Sequence, residues 1–305
     1  MSRWKTTISC LLIIALCFSF CMTAYAVTAG DKRVVIAADI TQAEKEQIYK
    51  DFGVKQGEVV ELTVTNADER AYLHGLVDES KIGSVALSCA FIEIMEPGTG
   101  LTVLTNNINY CTPQMYKNAL TTAGIQDARV MVSAPHVVSG TAALTGVYKA
   151  YESVSGNALP ELAKQVGAEE LIVTGQLAEY VGSDEATGLI NELKTILDQT
   201  VNMTDAQVLE QIDILAKQYN VALTEGQRQQ LLKLCRSMER LDARELRKKL
   251  VDLSETVEKA GEIKNTLDVA TEKAGEFVQD AKEFAGKVTK LVNNVAGFFK
   301  NLLGE

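Results

Sequence analysis

Histidine is scarce in this chain: His74 and His136 are the only two in 305 residues. Neither an HExxH nor a CxxC pattern occurs, and zinc sites draw on several such ligands, so no metal or other cofactor is expected. Dinucleotide and P-loop glycine patterns are also missing; the glycines are isolated helix stops. No G-x-S-x-G elbow is present to expose a serine nucleophile. Clustered basic residues are lacking too. With 30 Lys and Arg against 40 Asp and Glu the formal charge is −10, which disfavours phosphate-backbone contacts and excludes nucleic acid as an expected partner. Three of the six cysteines (Cys10, Cys17, Cys21) fall in the first 26 residues, leaving Cys89, Cys111 and Cys235. An odd count without metal-ligand spacing excludes a disulfide scaffold. A single Cys89–Cys111 bridge remains open, and small buried hydrophobes are the simpler role.

What is present begins with an export signal. Arg3 and Lys5 precede a mostly apolar run over 8–20 and a small-x-small Ala24-Tyr25-Ala26 site. That pattern predicts a signal peptide over 1–26 and a mature chain starting near Val27. The run is short for a membrane span. Leu16 and Phe20 stand before Cys17 and Cys21 where a lipoprotein needs a small residue. Without the signal, 28 basic residues face 40 acidic ones. The expected location is secreted or extracellular, associated with the cell envelope.

The remaining length exceeds one ordinary domain. Over 27–156 strand and helix patterns alternate. Segments 33–39, 58–64, 84–95, 101–107 and 128–134 read as strands, and 41–52, 66–77, 112–123 and 140–152 as helices. The turn signal Glu96-Pro97-Gly98-Thr99-Gly100 predicts a hairpin between the third and fourth strands. A shift of 71 residues lays 41–77 on 112–148 without a gap, matching Thr41 with Thr112, Gly53 with Gly124, Val59 with Val130, Leu73 with Leu144 and Gly75 with Gly146. The matched positions are helix starts, helix stops and core-facing residues. They predict an α/β domain with an internal β-α-β-α duplication.

Strand signals almost vanish after Gly156. Segments 159–180, 184–201, 205–219 and 225–241 predict an all-α region over 157–241, and two of these helices open with Thr-x-x-Gln capping boxes at Thr204–Gln207 and Thr224–Gln227. Over 242–305 apolar residues recur at heptad spacing. After a three-residue skip from Ala260 to Ile263, every seam position through Leu302 is apolar. This predicts a long amphipathic helix or coiled-coil tail. Its seam suits packing on the helical region or self-association into a homo-oligomer. Contact with a membrane surface through Phe298, Phe299, Leu302 and Leu303 is the alternative.

Two loops hold the candidate site residues. Pro135-His136-Val137-Val138-Ser139-Gly140-Thr141 precedes a helix, with Pro135 expected to close the strand before it. A hydrolase or transferase reading makes Ser139 the nucleophile, His136 its base, and the Gly140 and Thr141 amides an oxyanion or phosphate cradle. The simpler reading makes Ser139 an N-cap with Gly140 easing the bend. Both use the same free amides, so Asp39, His136, Ser139, Gly140 and Thr141 are the expected ligand contacts, with no catalytic residue assigned. Asp39 earns its place at the end of the first strand, where α/β proteins often bind ligands.

At 118–152, NALTTAGIQDARVMVSAPHVVSGTAALTGVYKAYE, the chain resembles the YpuA-like secreted proteins of Gram-positive bacteria, the domain of unknown function 1002 family. The TAGI and SGTAALTG runs carry the resemblance, which covers residues 30–241. It implies export and a shared fold, and no reaction. The combined expectation is a non-enzymatic, envelope-associated binding or interaction protein whose partner is an unidentified envelope component or protein.

Overall fold

A computed structural model describes residues 28–76 and 82–241 of the chain. Its centre is a five-stranded sheet of β1 (Lys32–Ala37), β2 (Val60–Val64), β3 (Cys89–Ile94), β4 (Leu101–Ile108) and β5 (Ala128–Val138), in the order β2-β1-β3-β5-β4. Helices α1 (Gln42–Asp51), α2 (Asn66–Leu73), α3 (Pro113–Ala123) and α4 (Thr141–Ser155) complete two β-α-β-α units. In each unit the two strands are neighbours and parallel, β1 with β2 and β4 with β5.

The two units thus share one element order, and their caps show why those positions match. Thr41 and Thr112 are both N-caps whose hydroxyls accept from the amide three residues on. Gly53 and Gly124 follow α1 and α3 with left-handed φ values of 68° and 101°, the conformation in which a helix end ties off its last carbonyls. The gapless match fails at the last helix. Asn66 starts α2 and would fall on Val137, yet α4 starts at Thr141. The difference arises because β5 runs on through Pro135 to Val138 instead of ending at Ala134. Past Ser133 it has lost β3 and pairs only with β4, across a bulge between Asn106 and Ile108. An edge segment of this kind tolerates proline.

The expected hairpin is absent. β3 is antiparallel to both β1 and β5, and β5 stands between β3 and β4. The Pro97-Gly98 turn is real, but it leans on the start of β5: Gly100 N donates to Asp127 Oδ1 at 2.8 Å and Met95 N to the Asp127 carbonyl at 2.7 Å. Buried almost throughout (CAFIEI), β3 satisfies its ladder on both sides only at the middle of the sheet.

Helix α1 covers one sheet face. Phe52 packs on Phe91 at 5.9 Å, and Lys45 and Tyr49 reach Glu61, each at 2.6 Å. The opposite face, with Val35, Ala90 and Val132 in register, meets α4 at Gly146. The following helix, α5 (Glu161–Val181), serves two cores. Ala168, Leu171 and Ile172 join the sheet core. Val166, Val173 and Leu177 join a second core with α6 (Ser183–Thr195), α7 (Leu197–Thr200), α8 (Asp205–Gln218) and α9 (Glu225–Glu239). Both Thr-x-x-Gln boxes form: the Gln207 and Gln227 side chains accept from the Thr204 and Thr224 amides at 2.9 and 2.8 Å. Segment 184–201, expected as one helix, breaks at Ile196. The chain thus has the expected α/β part followed by helices. The expected signal peptide over 1–26 and the expected amphipathic helix over 242–305 lie outside the described residues.

Candidate functional site at the strand tips

Strands β1, β2, β4 and β5 run the same way and β3 runs against them, so the ends of the four and the start of β3 share one edge of the sheet. That edge collects Asp39, Thr65, Ser88, Cys111 and the 136–141 segment, from the end of β5 to the start of α4, the place where open α/β sheets present ligand-contact groups.

Of the expected residues, Ser139, Gly140 and Thr141 form the centre. Gly140, not Ser139, is the N-cap of α4. It has φ 93° and makes no side-chain cap bond. A Cβ there would stand 2.6 Å from both Ile108 Cγ2 and the Tyr116 hydroxyl oxygen, so only glycine fits. The buried Tyr116 hydroxyl donates to the Gly140 carbonyl. Ser139 Oγ instead lies 3.2 Å from Thr141 Oγ1, and the Ser139 carbonyl accepts from Cys111 N at 3.1 Å. The expected capping role passes to Ser88, whose Oγ accepts from Ala143 N at 3.0 Å.

Thr141 Oγ1 donates to the carboxylate of Glu69, which is 1% exposed. Burial pushes the Glu69 carboxyl above its ordinary range; the bonds from Thr141 and Asn66 and the nearby Arg70 charge pull the other way. The negative charge beside the first turn of α4, where a helix favours an anion, is thus the chain's own. Nothing in the loop sequence points to it. Its signal was local to α2, where Glu69 stands four residues before buried Leu73 on the core-facing side of a short helix.

Asp39 joins this edge from a different direction. Its carboxylate accepts from Ala86 N at 2.7 Å, which pins the 84–88 segment and with it Ser88. His136 is exposed beside an equally exposed Val137 and makes no hydrogen bond to Ser139 or Asp39. The Glu44 carboxyl is held low chiefly by its bonds to Thr41, with His136 the least of the causes. The structure therefore unites Ser139, Gly140 and Thr141, ties Asp39 to them through Ser88, and leaves His136 outside the cluster.

The thiols add no reactive group here. Cys89, Cys111 and Cys235 are free and buried, and burial pushes the thiols of all three up to about 12. Such groups stay protonated at neutral pH and act as packing. Among the described residues no three His, Cys, Asp or Glu side chains stand together as metal ligands. No helix of the described residues is long and apolar enough to cross a membrane.

Residues 36–260 match the family model described as Protein of unknown function (DUF1002). The chain belongs to this family. Consistent with that, it is 36% identical over 278 residues to the Uncharacterized protein YpuA of Bacillus subtilis (strain 168), covering 89% of this chain and 90% of that one. The match spans the sheet, the strand-tip edge and the helical region of this DUF1002 chain. No solved structure matches it.

Proposed function

We infer that this DUF1002 protein is an exported, envelope-associated binding module whose contact with a ligand or protein partner lies at the strand tips, on Asp39 and the 136–141 segment. The single observation that supports binding over bond-making is the separate engagement of the three groups an acyl transfer would need. Ser139 Oγ is turned to Thr141, the Asp39 carboxylate holds a backbone amide, and the His136 ring stands in solvent. The exposed His136–Val137 pair, with Val137 60% exposed, offers a small apolar and polar contact. The rigid Gly140 cap and the buried Tyr116 hold it in place.

The test is co-sedimentation of the protein with isolated envelope fractions (cell-wall sacculi and membranes separately), comparing the natural chain with His136→Ala and Val137→Asp. Several-fold weaker pelleting with one fraction is expected for both variants. Unchanged pelleting would remove the strand tips from the proposal. A hydrolytic activity on the same fractions that Ser139→Ala abolishes, with the melting temperature preserved, would replace binding by catalysis. Fractionation of the natural host and sequencing of the mature N-terminus tests export, with a start near Val27 expected.

A further inference from the structure

The helical region carries a groove of mixed chemistry. It has a volume of about 570 Å³ and lies between the end of α5, the start of α6 and the α8–α9 connection. Apolar and polar groups share its wall: Tyr180, Val221 and Ala222 stand with Asn220, Thr224 and Gln227, and Glu185 is the only charge among its described residues. Tyr180 is 75% exposed, an aromatic ring left open to solvent. Tyr219, by contrast, is fixed. Its ring lies so close to Gly188 that a Cβ there would collide with it, and its hydroxyl engages the buried Glu192 carboxyl.

Gln227 points to what such a groove holds. The Thr-x-x-Gln box occurs twice, and in both copies the glutamine Oε1 accepts from the threonine amide and hydroxyl. Among the described residues neither glutamine Nε2 finds an acceptor, so each keeps two N–H donors to give. Gln207 is exposed, and water takes them. Gln227 is 9% exposed and lines the groove, so a partner for its donors has to come from there; a buried amide left unpaired is costly. Val221 and Ala222 offer a small apolar surface in the same wall. A donor beside such a surface suits an acetamido group, whose carbonyl accepts and whose methyl packs. An open tyrosine ring suits the C–H face of a sugar, since it joins a flat apolar body to a polar tip. Glu185 and Thr224 supply acceptors for sugar hydroxyls, and the lone carboxylate disfavours anionic glycans. The volume lies in the ordinary range for a bound small molecule.

We propose that this groove binds short oligosaccharides of N-acetylated hexosamine, with Gln227 Nε2 donating to an acetamido carbonyl and Tyr180 stacking on a sugar ring. The site is separate from the strand-tip contact, so either can fail without the other.

Isothermal titration calorimetry of the protein with chitotetraose, and with cellotetraose as the same backbone lacking acetamido groups, tests this. Saturable binding of chitotetraose is expected, about tenfold tighter than cellotetraose, as befits one well-made hydrogen bond. Tyr180→Ala removes an exposed ring and should weaken chitotetraose binding several-fold. Gln227→Glu keeps the capping box, because glutamate at that position also accepts from the threonine, yet deletes the free donor; it should weaken binding to a similar degree. Gln207→Glu makes the same change in the exposed box and should leave binding as it was, as should His136→Ala at the strand tips. Far-UV circular dichroism melts check that each variant keeps its fold. No binding of chitotetraose, equal binding of cellotetraose, or binding that survives both Tyr180→Ala and Gln227→Glu would each overturn the proposal.

Discussion

Glu69 shows what burial does to one side chain. Its ionised form has lost water and is compensated by Thr141, Asn66 and Arg70. Because the folded-state carboxyl titrates above the unfolded one, its protonated form favours the fold. That stability is present below the ordinary carboxyl range and is lost as pH rises through the raised value. Glu69→Gln keeps an acceptor for Thr141 and removes the charge. It should therefore melt a few degrees higher than the natural chain near neutral pH, with the two curves converging on acidification; thermal melts across pH check this. Thr141→Val leaves the buried carboxylate without that donor and should cost about 1–3 kcal/mol. Gly140→Ala meets both a positive φ and the Ile108 and Tyr116 side chains, so a loss of roughly 1–3 kcal/mol in urea unfolding is expected.

At the scale of elements, the contact of α3 with α5 and α6 decides how the α/β and helical parts meet. Gly167 of α5 brings that helix onto α3: an added Cβ would lie 2.6 Å from the Ala119 carbonyl oxygen, which is backbone and cannot swing aside. Beside it Glu170 of α5 pairs with Lys194 of α6, both fully buried, while the Thr122 hydroxyl of α3 donates to the other Glu170 oxygen. Burial lowers the Lys194 ammonium, and Glu170 opposes that. Removing one partner strands a charge, so Lys194→Met should cost about 3–5 kcal/mol. The double variant with Glu170→Leu should recover much of it, which a double-mutant cycle in urea reads directly. Thr224→Ala, a pure cap loss at the start of α9, should cost only about 1 kcal/mol.

For the whole molecule, α5 is the member common to both cores. A helix buried on two sides couples them, so calorimetry should show one unfolding transition for the described part. Leu171→Ala in the sheet core and Leu177→Ala in the helical core should each lower that same transition, at a cost of about 2–5 kcal/mol. Two separable transitions, each answering to one variant, would mean that the shared helix does not join them.

The elements themselves were legible because their causes are local. Threonine caps at 41, 112, 204 and 224 and glycine stops at 53 and 124 act within a few residues. Apolar periodicity marks strands and helices wherever they end up, and the β-α-β-α repeat follows from the same marks. Strand order was not legible. Proximity in sequence favoured pairing β3 with β4, whereas β5 stands between them, antiparallel to β3 and parallel to β4. The site divided the same way. Asp39 and the 136–141 segment announced themselves by their position at strand ends, but Glu69 of α2, Ser88 just before β3 and Tyr116 of α3 reach Thr141, Ala143 and Gly140 only after the sheet is assembled. Local chemistry settles where a chain turns and stops. Which distant carboxylate meets which helix end depends on packing, since no residue near Thr141 encodes its partner 72 positions away.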